Sequence, residues 1–286
     1  MKRVFDMEAI KINLDDYEYA GEGANGQSFN NKKDPKILLK LLTDQSGRQA
    51  ALYELECSRK VYELGIPTPK PGDYVTDGNG RFGMRVERVP DKVSFSRAVG
   101  DNPSEVEGYA RRFARMCRKL HSTVVPDGLF PEIKQYYRDI LAGLDVYTQS
   151  EREYLLSVIE NAPDGNTAIH GDLQFGNVIM SGDKDYFIDL GDFCYGSPLF
   201  DLGMVLFTCQ YDNPVFLKEV FHMDQPTASS FWIYFVKEYF GEDADPAEVE
   251  RQIRPYAAAK LIIMEKYAGI LPEYHWLLKP DKDSSR

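Results

Sequence analysis

His170-Gly171-Asp172-Leu173-Gln174-Phe175-Gly176-Asn177, continued through Val178-Ile179-Met180 to Tyr186-Phe187-Ile188-Asp189-Leu190-Gly191, is the stretch on which the reading of this chain turns. It presents three oxygen-bearing side chains. Asp172 and Asn177 stand in a polar loop, and Asp189 closes a short apolar strand. Ser181-Gly182-Asp183-Lys184-Asp185 between them has the composition of a turn. The resulting hairpin is expected to fold Asn177 and Asp189 back toward each other. Hard-oxygen donors of this kind suit magnesium carried in with phosphates, not zinc or copper. The remaining carboxylate can take or orient a hydroxyl proton.

Upstream, Gly21-Glu22-Gly23-Ala24-Asn25-Gly26 lies between expected short strands at 17–20 and 27–30. No helix follows Gly26, which argues against a dinucleotide-binding turn, and no Gly-Lys-Ser/Thr ends the loop, which argues against a Walker loop. A flap over nucleotide phosphates fits; a plain flexible hairpin is the alternative. Lys40 sharpens the choice. It sits inside the apolar run 37–42, where a charge is costly unless paired. Strand alternation puts Leu38, Lys40 and Leu42 on one face and Ile37, Leu39 and Leu41 on the other. The lysine therefore needs an anionic partner, carboxylate or phosphate, unless it snorkels from an edge strand. The next expected helix, 50–64, ended by Gly65 and by Pro67, Pro69 and Pro71, offers two glutamates. Glu56 is favoured, with Glu54 as its rival. A hairpin at 73–76 and 82–89 follows, and Pro90-Asp91 marks a boundary.

Beyond the boundary the pattern is helical. Val106, Tyr109, Ala110, Phe113, Cys117 and Leu120 recur at three- and four-residue spacing after Pro103-Ser104. The arginines between them read as a solvated face, because 34 basic against 45 acidic residues leave a net charge of −11 that disfavours a nucleic-acid partner. The aromatic residues from Phe231 to Trp276 read as packing of a helical region in preference to a cage for a quaternary amine. A length of 286 residues accommodates two modest domains or one two-lobed unit. No apolar run approaches the roughly 20 residues of a membrane span, and the charged start lacks a secretory apolar core. Cys57, Cys117, Cys194 and Cys209 are scattered, without zinc or disulfide spacing, which points to a reducing cytoplasm. The polar tail at 279–286 is expected to fray.

His170-x-Asp172-x-x-x-x-Asn177 followed by Asp189-x-Gly191 resembles the protein-kinase signature, and its His-Gly-Asp form is similar to the aminoglycoside phosphotransferase and choline kinase branch. Glycine loop, strand lysine, helix glutamate, catalytic loop and metal loop occur in that order from about residue 17 to 202. The resemblance implies an α+β, two-lobed kinase-like fold. Residues 1–89 would form a nucleotide-binding lobe, an antiparallel sheet with one helix. A hinge would lie at 87–92, and 93–286 would form a larger, mainly helical catalytic and acceptor-binding lobe. Gly21, Gly23 and Gly26 would cover the phosphates of ATP, and Lys40, fixed by Glu56, would hold the α- and β-phosphates. Leu38 would line the adenine pocket, and the backbone of Glu87 and Val89 would meet the base. Asp172 would be the catalytic base, and Asn177 and Asp189 the Mg2+ ligands. His170 and Asp201 would support the loop, as would His121.

Three departures from protein kinases bear on the acceptor. Gly171 replaces an arginine, Gln174 replaces a lysine, and only the nine residues 192–200 separate Gly191 from Asp201, too few for a peptide platform. The expected activity is Mg-dependent transfer of the γ-phosphate of ATP to a hydroxyl of a small molecule, such as an aminoglycoside, a choline-like amino alcohol or a sugar. Net acidity, with Asp192, Asp212 and Glu238 in or after the catalytic region, favours a cationic acceptor; a charge that serves only solubility is the alternative reading. The alternatives are a nucleotide-binding pseudokinase acting as sensor or scaffold, a nucleotidyl transferase and a protein serine/threonine kinase.

Overall fold

The strand Ile-Leu-Leu-Lys-Leu-Leu, whose side chains pack on two opposite faces, organises the first part of the computed structural model, which describes residues 7–23, 26–42 and 47–279. Met1–Asp6, the loop residues Ala24 and Asn25, and 280–286 of the expected tail lie outside the described residues. Strands β1 (Ile10–Lys11), β2 (Tyr17–Gly23), β3 (Gly26–Asn31), β4 (Ile37–Leu42), β5 (Pro71–Thr76) and β6 (Phe82–Glu87) form one sheet in the order β1-β5-β6-β4-β3-β2. β1, which the sequence reading left out, joins parallel to β5; the other pairs are antiparallel. Helix α1 (Gly47–Glu63) packs on one face, where its Ala51, Leu52 and Leu55 meet Leu42, Tyr74 and Met84. On the opposite face Leu39, Leu41 and Val75 cluster with Ile12 and Tyr17. Lys40 thus shares the face of α1.

The chain divides into two units, Met1–Val93 with Val178–Gly191, and Ser94–Asn177 with Asp192–Arg286. Strand β7 (Val93–Ser94) lies at the junction. The segment from Val178 to Gly191, expected with the second lobe, groups with the first. Its hydrogen bonds give the reason: Phe187 N–H donates to Pro67 O (2.9 Å) and the Ser181 hydroxyl to Pro90 O (2.7 Å).

The second unit begins with α2 (Phe95–Asp101), α3 (Val106–His121), α4 (Ile133–Ala142), α5 (Gln149–Asn161) and β8 (Thr167–Ile169). After the hairpin β9 (Val178–Ser181) and β10 (Lys184–Phe187), which belongs to the first unit, β11 (Cys194–Gly196) pairs antiparallel with β8. α6 (Leu199–Leu206) runs on into a π-helical turn, Phe207–Tyr211, followed by α7 (Pro214–Phe221), α8 (Gln225–Phe240), α9 (Pro246–Ala259) and α10 (Leu261–Ala268). α3 lays its stripe Ala110, Phe113, Ala114 and Cys117 against α8. Phe113 and Phe231 close around Phe175, with ring centroids 5.3 and 4.6 Å from it. Phe231, Trp232, Phe235 and Tyr274 are buried as packing residues, whereas Tyr267 and Trp276 are exposed.

Candidate active site

In the first unit Lys40 reaches out of β4 between two carboxylates. Its Nζ lies 2.5 Å from Glu54 Oε1 and 3.3 Å from Asp189 Oδ1. Burial works against the ammonium, but the attraction of Glu54 and then of Asp189 outweighs it and holds the pKa above the ordinary lysine value. The helix partner is Glu54, not Glu56. Glu54 lies within the buried stripe of α1 that includes Ala51, Leu55 and Ser58. Glu56, two residues and about 200° further round the helix, turns to Arg59 instead (2.7 Å). Asp189 adopts φ 60°, the left-handed region that aspartate tolerates better than most residues.

Of the three glycines, Gly26 has a steric reason: a Cβ there would lie 2.4 Å from Leu41 O, where β3 crosses β4. Gly21 and Gly23 face open space. Leu38 is half-buried opposite Val86 in the ladder. Glu87 donates its N–H to Lys70 O (2.9 Å), and the side chain of Val89 is buried.

In the second unit the loop after β8 is held from beneath. Leu173 and Phe175 are buried, Phe175 among the aromatics of α3 and α8, so the intervening Asp172 and Gln174 turn outward. The Asp201 carboxylate, in the first turn of α6, accepts from His170 N–H (2.8 Å) and Gly171 N–H (3.0 Å), and its Oδ2 lies 3.1 Å from His121 Nε2. His121 Nδ1 continues the chain to the Tyr239 hydroxyl (2.8 Å). His170 is fully buried, and its Nδ1 accepts from Asp172 N–H (3.3 Å). Asn177 donates to the carbonyl (2.9 Å) and to Oδ2 (2.8 Å) of Asp172.

Lys260, at the junction of α9 and α10, places its Nζ 3.0 Å from Asp172 Oδ1. The same ammonium donates to Gly171 O (2.8 Å). Burial raises the carboxyl pKa of Asp172, but Lys260 and the Asn177 hydrogen bond more than offset it and hold the group below the usual carboxylate value. The sequence reading missed Lys260, although the signal was the one used for Lys40: a lone charge inside an apolar run, here Ala257 to Ile263. Gly171, at φ 82°, packs so closely on the next segment that a Cβ would meet Asp192 O at 2.0 Å, which leaves no room for an arginine.

Asp192 anchors a third cluster in this unit. Its Oδ1 accepts from the hydroxyls of Tyr136 and Tyr267, the latter at 3.2 Å. Lys266 Nζ lies 4.5 Å from the Tyr267 ring centroid and 5.4 Å from that of Tyr136. The other two acidic candidates are engaged elsewhere. Glu238 lies 3.4 Å from both Arg111 and Arg115, and Asp212 is buried under the Tyr274 hydroxyl (2.9 Å).

The family model described as "Phosphotransferase enzyme family" (APH) matches residues 20–232. No curated protein matches the sequence. Among solved structures, the chain is similar to a thermostable mutant of aminoglycoside phosphotransferase APH(4)-Ia in ternary complex with ADP and hygromycin B (12% identity, TM-score 0.63, 92% of this chain and 90% of that one). It is also similar to a choline/ethanolamine kinase family protein from Mesorhizobium loti (19% identity, TM-score 0.56, 88% of this chain and 78% of that one). A third is aminoglycoside phosphotransferase APH(3'')-Id from Streptomyces rimosus in complex with ADP and streptomycin (20% identity, TM-score 0.56, 85% of this chain and 93% of that one). These likenesses establish an α+β, two-lobed kinase-like fold.

Proposed function

We propose that this chain, which belongs to the phosphotransferase enzyme family, transfers the γ-phosphoryl group of ATP to a hydroxyl of a small cationic molecule in the cytoplasm. The observation that carries the reading is Asp172, an ionised carboxylate held by one donor on each oxygen in the loop after β8. Such a carboxylate orients an acceptor hydroxyl and takes its proton as the bond to phosphorus forms. In that step the acceptor oxygen bonds to the γ-phosphorus, and the bond from phosphorus to the β,γ-bridging oxygen breaks. The hydroxyl proton passes to Asp172 and ADP departs. Lys40, above its ordinary pKa between Glu54 and Asp189, supplies a permanent cation for the α- and β-phosphates. Gly21, Gly23 and Gly26 would cover the phosphates. The backbone of Glu87 and Val89 would meet the base, with Leu38 lining its pocket.

Asn177 and Asp189 would each offer magnesium an oxygen of the kind it takes. Asn177 Oδ1 and Asp189 Oδ2 meet no protein donor among the described residues, and an ion that keeps its waters and phosphate oxygens needs only one or two protein oxygens. Bound there, magnesium would neutralise charge on the β- and γ-phosphates. Calorimetry with and without magnesium tests this: Asp189→Ala should lose the Mg-dependent tightening of ATP binding, and an unchanged magnesium effect would remove the assignment.

The cationic part of the reading rests on the Asp192 cluster. Tyr136 and Tyr267 already hold one ammonium, that of Lys266, through their rings and hydroxyls, and both hydroxyls donate to the Asp192 carboxylate; such a nest suits an amine on the acceptor. Two similar structures hold ADP with hygromycin B or streptomycin, which supports a nucleotide and a small polar acceptor. The deciding experiment measures ADP release from Mg-ATP with matched neutral and amine-bearing alcohols at low and high ionic strength. Amine-bearing acceptors should be preferred, more so at low salt. A preference for neutral sugars would remove the cationic part alone, and no transfer to any hydroxyl compound would remove the activity.

A further inference from the structure

We propose that Lys260 is the positioning residue of Asp172, fixing the plane of its carboxylate from a helix junction remote in sequence. The inference rests on the reading of Asp172 as the group that orients the acceptor hydroxyl.

Its side chain is 1% exposed, and Ala257, Ala258 and Ala259 beside it are fully buried. A buried ammonium is costly, and as a mere structural element it is readily replaced by apolar packing. Both of its oxygen partners, Gly171 O and Asp172 Oδ1, belong to the catalytic loop, and both contacts are 3.0 Å or shorter. Asn177 alone would leave the carboxylate free to swing about a single hydrogen bond to Oδ2. Lys260 on Oδ1 adds the second point and so defines the plane. It also sets a counter-charge directly beside the carboxylate. The remaining lone pairs of the two oxygens are then presented in one orientation. Small misplacements of a reacting group cost on the order of a hundredfold in rate.

The test is a double-mutant cycle of Lys260→Met and Asp172→Asn. It is read by thermal unfolding and by ADP release from Mg-ATP, with the best acceptor of the alcohol panel or with water. Lys260→Met should lower kcat by roughly 10- to 100-fold with both KM values within about threefold, because orientation is lost while binding is kept. In the Asp172→Asn background the same change should cost less than about threefold, since no carboxylate remains to be held. Unfolding should be non-additive too: Lys260→Met destabilises by stranding a buried charge, and adding Asp172→Asn recovers much of the loss. If Lys260→Met alone fails to fold, the double variant against Asp172→Asn still gives the comparison. An unchanged kcat, an equal loss in both backgrounds, or additive melting temperatures would overturn the proposal. Absence of any transfer by the wild type would instead overturn the activity, leaving the melting cycle to decide on the ion pair.

Discussion

Each unit of the molecule sets a lysine against carboxylates of its candidate site residues, and Lys40 and Lys260 do so differently. Lys40, with 23% of its side chain exposed, lies between carboxylates from separate segments, Glu54 of α1 and Asp189 after β10. Lys260, 1% exposed, spends its contacts on neighbouring residues of a single loop. The first arrangement leaves a cation that can exchange a carboxylate for a phosphate, because one face still meets solvent and Asp189 is its longer contact. The second leaves the lysine nothing to exchange with; it ties the loop to the junction of α9 and α10. On the proposed reading, the same pair of residue types would serve ligand capture in one place and orientation in the other, with exposure deciding which.

The sharpest way to break this contrast is to remove the oriented group. Asp172→Asn keeps the shape and the hydrogen bond from Asn177 but loses the charge, and should lower the turnover number roughly a hundredfold or more. ATP affinity should stay close to wild type when measured by calorimetry. Turnover within a few-fold of wild type would show that the loop carries no proton-handling group.

A buried carboxylate without any lysine supplies the control. Asp212 is covered by the Tyr274 hydroxyl and the Asn213 N–H, and burial pushes its pKa up from 3.8 to about 6. A folded-state pKa raised in this way contributes stability that is present below about pH 4 and is lost as the pH rises through about 6. Above pH 7 the group costs roughly 2–3 kcal/mol, at about 1.4 kcal/mol per pH unit. Asp212→Asn should thus match wild type near pH 4 and be the more stable protein at pH 8. Parallel stability curves for the two proteins between pH 4 and 8 would mean that burial leaves this carboxylate unperturbed.

The smallest effects discriminate between the two glutamates of α1. A cycle of Lys40→Ala with Glu54→Ala should show coupling of about 1–2 kcal/mol in unfolding, as expected of contacting charges shielded from solvent. The same cycle with Glu56→Ala should be additive, and Glu56→Ala alone should cost no more than about 1 kcal/mol through its pair with Arg59. Coupling to Glu56 in place of Glu54 would break the account of how Lys40 is held.

The sequence by itself determined the features that depend on short-range spacing. Strand alternation around Lys40, the hairpin between Asn177 and Asp189, and the loop bearing Asp172 all follow from periods and turns of a few residues, which the chain writes locally. The tertiary structure decided what depends on which surfaces meet. Glu54 prevails over Glu56 because the rotation of α1 on its sheet, set by Ala51 and Leu55 packing under Leu42, aims one glutamate at the lysine and turns the other away. Periodicity names a helix face but does not say which partner it meets. Gly171 is glycine because Asp192 returns against it. Lys260 was visible only as a charge in an apolar run, and its partner, Asp172, lies far away in sequence. A buried charge is affordable only beside its counter-charge, and for Lys260 it is the folded chain that brings the two together.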